Sequence, residues 1–246
     1  MLYDRSEPLV PASGNSVWRI ALMDRPTFVV AMALASGIAG FLVVNLVLDG
    51  LRQSPDDWET LAARLYGTFH IGADGSVAES FNHGMAFAAA VMFLAAGTVA
   101  RSRTCIVMAV IMMIAWFDDS AQYHERVGRL LPQHFPGLRN FGPGASTLAE
   151  MLAFLSIGIV CLGLAVWARQ RFGPRDRFAF QLARWPILLL VACASLVDFV
   201  HSALLETRFE QLFLYLEDGG EMLAMALIAT ASLYLARNIE RIDDRP

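Results

Sequence analysis

The stretch that decides the fold is CIVMAVIMMIAWFDDSAQYHER, residues 105–126. Its first twelve residues are apolar, whereas its last ten include two adjacent aspartates, a glutamine, a tyrosine and a His-Glu pair. A helix needs about 20 mostly apolar residues to cross the hydrocarbon core of a bilayer. The stretch therefore predicts a membrane-spanning helix that ends in a group of ionisable side chains.

The composition of the whole chain supports this prediction. Of 246 residues, 56% are hydrophobic and only 17% are charged, and the mean hydropathy is +0.49. Soluble domains carry about a quarter charged residues. The N-terminal segment lacks the early apolar core of a cleavable signal, so the first span is expected to act as its own insertion signal. The three cysteines fall in separate apolar runs, which argues against disulfides and against a cysteine metal site.

Six segments are long and apolar enough to span a membrane. They are predicted at 27–48, 80–100, 104–123, 147–168, 186–205 and 211–236. The fold class is therefore all-α, a polytopic bundle of six transmembrane helices that forms a single integral membrane domain over residues 1–246. In the first outer loop, SPDDWETLAARLYG (54–67) has Ser54 as a helix cap and Pro55 at the first helical position, which predicts a short surface helix. Residues 126–146, rich in proline and glycine, are predicted to form a loop.

Arginines indicate the orientation of the chain. An even number of spans places both termini on one side, and thirteen of the nineteen arginines lie there. The positive-inside rule then makes both termini cytoplasmic. Sixteen of the 23 acidic residues and all five histidines lie on the opposite side. We expect a multipass protein of the bacterial inner (cytoplasmic) membrane, with its site facing the periplasm.

Because successive spans alternate in direction, the ionisable ends of five spans should meet in one outer layer. Candidate metal ligands are His83, Asp118, His124, Glu125, Asp198, His201, Glu217 and Glu221, and candidate catalytic carboxylates are Asp119 and Asp218. Asp118, Gln122 and Glu125 have the spacing of one helical stripe, so His124 should point away from it unless the helix ends earlier. Asp198 and His201 form an acid-x-x-His pair, which can offer two ligands to one metal. Gly219 and Gly220 would let another helix or a ligand approach closely.

Charge balance implies a cation in this layer. The chain has no lysine, and no arginine falls within a predicted span. Gathered carboxylates repel one another and lose hydration, so a metal ion, protons, or an arginine reaching in from Arg126 or Arg208 must compensate. Nitrogen and oxygen ligands without thiolates suit a divalent ion such as Zn, Fe or Mn. One ion with a spare carboxylate as base, or two ions with bridging carboxylates, would both fit.

Several of these residues also have ordinary explanations. Thr147 and Glu150 have the spacing of a capping box. Ser76 and Glu79 have the same spacing, so Glu79 is left out of the predicted site. His83 is as often a hydrogen-bonded packing residue as a ligand. His70 and His134 are expected in loops without a role.

The segments DDSAQYHE (118–125) and LEDGGEM (216–222) resemble those of a group of uncharacterised bacterial multipass membrane proteins. These end one span with acid-acid and then His-Glu, and open the last span with Glu-acid-x-x-Glu-Met. The likeness covers the two helix ends and the span order, and it implies no activity. The polar layer is also similar in concept to that of alkaline ceramidase-like membrane hydrolases, whose zinc is held by histidines and an aspartate. Their His-x-x-x-His pair is absent here, and they have seven spans rather than six.

Four functions fit these observations. The first is a metal-dependent hydrolase or oxidase that acts on a lipid-like substrate. The second is a proton- or cation-coupled transporter, although the acidic groups are confined to the outer half of the spans. A b-type haem between His83 and His201 is the third. The fourth is an accessory subunit with a structural cation. We expect membrane lipids as partners, no nucleic acid, and either a homo-oligomer or a partner in a membrane complex.

Overall fold

The computed structural model describes residues 14–51, 61–140, 142, 145–204, 207 and 209–242, and this part of the chain is helical apart from turns. Its helices are α1 (Gly14–Met23), α2 (Arg25–Leu51), α3 (Leu61–Phe69), α4 (Val77–Ala100), α5 (Arg103–Ser120), α6 (Tyr123–His134), α7 (Pro136–Arg139), α8 (Ala145–Arg169), α9 (Pro174–Val191), α10 (Asp198–Ala203) and α11 (Glu210–Asn238). A π-helical segment, Ala192–Val197, joins α9 to α10, and a 3-10 turn, Ile239–Arg241, follows α11. The all-α class is therefore confirmed.

Five helices are long and apolar enough to cross a membrane. They are Arg25–Gly50, Val77–Ala100, Ala145–Arg169, Pro174–His201 and Glu210–Arg241. A sixth is obtained when α5 and α6, which are bent by 61° relative to each other, are counted as one span. The predicted positions of the long apolar helices thus agree with the structure except at the ends of two of them.

Helix α11 lies at the centre of the bundle. It packs against α2, α4, α9 and the π-helical segment. Its buried face includes Met225, Ile228 and Leu235, and Phe93 of α4 is fully buried in the same core. By contrast, α2 and α8 expose most of their apolar side chains. An exposed apolar surface of this extent is what a helix facing lipid requires.

The end of the bundle where α4 meets α5 and α9 begins contains a buried polar cluster around Asp176, called the Asp176 cluster here. Ser102 Oγ and the Thr104 N–H donate to Asp176 Oδ1 at 2.7 and 2.9 Å. The Gly173 N–H donates to Asp176 Oδ2 at 3.3 Å. Ser102 also caps α5, because its Oγ accepts the Cys105 N–H. The cluster fixes the α4–α5 turn to the start of α9.

The helix that contains the predicted fifth span departs from the predicted start at residue 186. The helix begins twelve residues earlier, at Pro174, and Pro186 lies inside it. The charged residues near its start lower the mean hydropathy of this segment. Phe178 and Leu182 are nevertheless fully buried one turn apart, and Asp176 satisfies donors of the neighbouring turn. Burial of one face, Pro174 in the first turn and the hydrogen bond from the Gly173 N–H to Asp176 therefore account for the early start of the helix.

The predicted third span, at 104–123, and the predicted loop at 126–146 are also wrong in part. Helix α5 ends at Ser120, Gln122 adopts a left-handed backbone conformation (φ 49°), and α6 begins at Tyr123. Asp118 Oδ1 accepts the His124 N–H at 3.1 Å, which satisfies one of the free donors at the start of α6. Helices α6 and α7 occupy most of the predicted loop.

Two short helices precede the second span. The short helix predicted between the first two long helices is present as α3, whereas its predicted start at Ser54 and Pro55 lies outside the described residues. Helix α1, which the sequence did not predict, buries Val17 and Ala21 and packs against α2 and α9.

Candidate metal centre

The starts of α4 and α11 and the ends of α5 and α10 meet at one end of the bundle, opposite the Asp176 cluster. We call the ionisable residues gathered there the acid layer. Its members are Glu79, His83, Asp118, Asp119, His124, Asp198, His201, Glu217, Asp218 and Glu221. The structure thus brings nine of the ten predicted site residues to one region.

The tightest group in the acid layer is formed by Glu79, His83 and Asp119, called the His83 cluster here. His83 Nε2 lies 2.9 Å from Asp119 Oδ2 and 3.7 Å from Glu79 Oε1. One ligand atom from each residue lies within 4.8 Å of the other two. His83 Nε2 is buried and has no hydrogen bond of good geometry, despite the short contact. Three potential metal ligands therefore converge around a nitrogen that lacks an aligned partner.

Glu79 is the residue of this cluster that the sequence prediction left out. Its predicted capping role is present, since the Glu79 N–H donates to Ser76 Oγ at 3.1 Å and the Gly75 N–H donates to the Glu79 carboxylate. The same carboxylate also faces His83, one turn further along α4. The spacing of Glu79 and His83, four residues apart on one helix, is the signal that identifies the pair.

A second group joins α10 to α11. His201 Nδ1 lies 2.5 Å from Glu217 Oε2. The other ring nitrogen, Nε2, is buried and has no hydrogen-bond partner in the described part of the chain. The Asp198 side chain interacts with Glu217 as well. We call Asp198, His201 and Glu217 the His201 cluster.

The π-helical segment and a glycine of α11 bring the His201 cluster together. A Cβ at Gly220 would lie only 2.5 Å from Cys193 Sγ, so α11 approaches the π-helical segment as closely as a glycine permits. This agrees with the close approach predicted from the glycine pair. Single π-helical turns within α-helices are frequent at functional sites.

His124 lies in the acid layer because α6 turns away from α5. Its Nδ1 is 3.1 Å from Asp118 Oδ2, and its ring stacks on Phe154 at 4.4 Å between centroids. The prediction that His124 points away from Asp118 is therefore wrong, and the stated alternative, that the helix ends first, is correct. Glu125 borders the layer and is not counted in it: it pairs with exposed Arg129 at 3.0 Å, and its charge acts on His124.

Two carboxylates of α11, Asp218 and Glu221, lie between the two clusters. The charge of Asp119, from the His83 cluster, acts on both. The charges of Glu217 and Asp198, from the His201 cluster, act on both as well. The acid layer is thus continuous from α4 to α10.

The predicted capping box of Thr147 and Glu150 is not present. Helix α8 begins at Ala145, so Thr147 lies inside the helix and not at its cap. Glu150 instead rests against Gly128 of α6, where a Cβ would lie 2.4 Å from Glu150 Cγ. The charges of His124 and Asp198 act on the carboxylate of Glu150, which therefore borders the acid layer.

Comparison with known proteins places this architecture in a family. Residues 28–235 match the family described as a domain of unknown function, DUF8692. The chain belongs to this family. The matched region of DUF8692 includes every residue of the acid layer. No curated protein matches the chain, and no solved structure matches it.

In this DUF8692 protein, no described arginine neutralises the carboxylates of the acid layer. Seven of its members are carboxylates, and no described arginine forms an ion pair with any of them. Arg126 is exposed, and Arg208 lies outside the described residues. Metal ions or bound protons are the compensating charges that fit what the described residues show.

Proposed function

We propose that this protein is a metal-dependent hydrolase of the bacterial inner membrane that acts on a lipid-like substrate. In this proposal six spans, the third formed by α5, cross the bilayer with both termini in the cytoplasm. The His83 cluster binds a divalent Zn, Fe or Mn ion on the periplasmic side. The observation that carries the proposal is the convergence of His83 Nε2 with two carboxylates, in a layer with which no described arginine forms an ion pair.

The ligand set supports a divalent transition metal. One imidazole nitrogen and two carboxylate oxygens, with no thiolate, suit zinc, iron or manganese. A hydrogen-bonded packing role for His83 is less favoured, because its Nε2 lacks an aligned hydrogen bond. An ion at this position would replace the missing hydrogen bond and offset the charges of Glu79 and Asp119.

The surrounding residues suggest how the site would act. A bound divalent ion lowers the pKa of a water molecule so that it can attack an ester at neutral pH. Asp119 lies 2.9 Å from His83 and fits the role of a ligand, although it was predicted as a catalytic carboxylate. Asp218, which feels the charge of Asp119, is the proposed general base.

The location of the layer favours a lipid-like substrate over a transported ion. The acid layer lies at helix ends that are flanked by the exposed apolar faces of α2 and α8. In the opposite half of α11 the buried polar side chains Thr230, Ser232 and Asn238 bond to carbonyls of their own helix. These residues do not continue the layer of ionisable groups toward the other end, as a proton or cation path would need.

Metal analysis of the purified protein tests this proposal. We expect at least one equivalent of Zn, Fe or Mn per chain, and we expect His83→Ala to remove one equivalent. His134→Ala is the matched control, because His134 is exposed and its hydrogen bond in the described structure is to a backbone carbonyl of its own helix. Absence of stoichiometric metal from the folded wild-type protein would overturn the proposal.

Activity and orientation need separate tests. Wild-type protein with bound metal should hydrolyse members of a panel of ester and amide lipids in detergent, and Asp218→Asn should lower kcat at least 100-fold while it retains the metal. A C-terminal fluorescent-protein fusion should fluoresce, and a C-terminal alkaline phosphatase fusion should be inactive. The reverse result would place the termini outside the cytoplasm.

A further inference from the structure

We propose that the His201 cluster is a second metal position, in which His201 Nε2 is the ligand and Glu217 orients the ring. This inference rests on the proposed function of the His83 cluster, because both positions belong to one acid layer. It divides the layer into two ion positions, and it changes the role predicted for Glu217 from ligand to positioning residue.

The two ring nitrogens of His201 carry this inference. Nδ1 is occupied by Glu217 Oε2 at 2.5 Å, which fixes the tautomer and the orientation of the ring. Nε2 is buried and unpartnered among the described residues. In metal-bound histidines, the N–H of the second ring nitrogen usually donates a hydrogen bond to a carboxylate or a carbonyl in this way. A buried ring nitrogen without any partner costs free energy, and a metal ion would remove that cost.

The two clusters offer acid-histidine pairs from different helices, whereas among the described residues three ligand atoms lie within 4.8 Å of one another in the His83 cluster alone. On α4, Glu79 and His83 are four residues apart, and on α10, Asp198 and His201 are three residues apart. Proteins that hold two metal ions between helices often use two acid-histidine pairs together with carboxylates from two further helices. Here α5 contributes Asp119, and α11 contributes its own carboxylates.

The carboxylates of α11 connect the two positions. The charge of Asp119 and the charge of Asp198 both act on Asp218, and both act on Glu221. With one ion in the His83 cluster, several carboxylates near His201 would still lack a compensating charge. A second ion beside His201 offsets this remaining charge.

Equilibrium dialysis of the full-length protein against Zn²⁺ distinguishes the two positions. The wild-type protein should bind two equivalents, His83→Ala and His201→Ala should each bind one, and the double variant should bind none. His201→Gln is a second, more conservative variant, and size-exclusion chromatography with circular dichroism checks that each variant is folded. His134→Ala should bind two equivalents.

Glu217→Gln tests the positioning role. Loss of an orienting carboxylate typically weakens metal binding 10- to 100-fold without removing the site. We therefore expect Glu217→Gln to bind two equivalents of Zn²⁺ at saturation, with the affinity of one of them lowered by about that factor. Unchanged affinity, or complete loss of one equivalent at saturation, would contradict the role.

The outcomes separate this inference from the proposed function. If the wild-type protein binds one equivalent, which His83→Ala removes and His201→Ala leaves in place, the second position is refuted and the first stands. Two equivalents that both persist in folded His201→Ala and His201→Gln would also refute it. If the wild-type protein binds none, both proposals fail.

Discussion

The buried carboxylates at the two ends of the bundle differ in their hydrogen-bond partners. At one end Asp176 is buried, and each of its oxygens accepts a hydrogen bond from a neighbouring turn or loop. At the other end the carboxylates of the acid layer face histidines and one another. His83 and His201 there retain buried ring nitrogens without an aligned partner in the described structure.

This difference separates a structural carboxylate from a binding one. The free energy cost of burying Asp176 is offset locally by N–H and O–H donors to both of its oxygens, so this carboxylate needs no ligand, although the buried Thr104 Oγ1 beside it has no partner in the described structure. By the same criterion the acid layer is incomplete within the described residues, since two of its buried ring nitrogens, His83 Nε2 and His201 Nε2, have no aligned partner. A carboxylate inside an apolar helix bundle is therefore informative only when its donors are also identified.

The largest expected effect on the unfolding free energy comes from removing the carboxylate of Asp176. Asp176→Ala leaves the donors of Ser102, Thr104 and Gly173 without their acceptor, and we expect a loss of about 3 kcal/mol of unfolding free energy. Asp176→Asn should cost less than half as much, because its amide oxygen can still accept the bonds to Oδ1. Denaturant titration in detergent micelles measures both. A loss below about 1 kcal/mol for Asp176→Ala would show that the cluster is not structural.

The next effect concerns packing beside the acid layer. Gly128→Ala would place a methyl group 2.4 Å from Glu150 Cγ, so α6 and α8 must separate, and we expect a loss of about 2 kcal/mol. Gly158→Ala on α8 is the matched control, because nothing lies within 4 Å of its Cβ position. That control should be neutral or stabilising by up to about 1 kcal/mol. Similar losses for the two variants would disprove the close contact.

A third substitution compares the two ends directly. Asp218→Asn removes a carboxyl group that lies among other carboxylates of the acid layer, so at a pH where these groups are ionised the metal-free protein should gain stability, on the order of 1 kcal/mol. Asp176→Asn should have the opposite sign under the same conditions. Thermal unfolding after treatment with a chelator measures both variants. Destabilisation by Asp218→Asn would mean that this carboxylate has donors that the described contacts do not include.

The smallest expected effect is at the bend between α5 and α6. Gln122 has a left-handed backbone (φ 49°), which glycine adopts at lower cost. Gln122→Gly should therefore change the unfolding free energy by less than about 1 kcal/mol, even though it removes the hydrogen bond to Asp74. Gln133→Gly inside α6 is the control, since a glycine there should be destabilising by about 1 kcal/mol. Equal losses would indicate that the bend is not as described.

Most of the fold could be predicted from hydropathy, because long apolar runs leave few alternatives to a helix. Two of the helix ends could not. The start of α9 depends on Asp176, which contacts residues more than 70 positions away in the chain. The end of α5 depends on a left-handed residue that is not a glycine. The left-handed residue leaves no local pattern in the sequence, whereas Pro174 in the first turn and Asp176 three residues after Gly173 are a local signal for the start of α9.

The site was predictable to the level of a layer and no further. Alternation of the spans was enough to bring His83, Asp119, His201 and Glu217 to one end. Extrapolation of a single helical wheel through residues 118–125 gave the wrong neighbours, because the helix axis turns by 61°. Glu79 was missed because one structural role was taken to exclude a second.

The length of α5 has a consequence for the lipid around the protein. Its 18 residues rise about 27 Å, whereas the 25 residues of neighbouring α8 rise about 37 Å. A bilayer core is about 30 Å thick, so a protein inserted as proposed would meet hydrophobic mismatch beside its shortest span. Local thinning of the bilayer relieves such mismatch. Headgroups next to α5 would then lie closer to Asp118 and Asp119 than elsewhere around the protein.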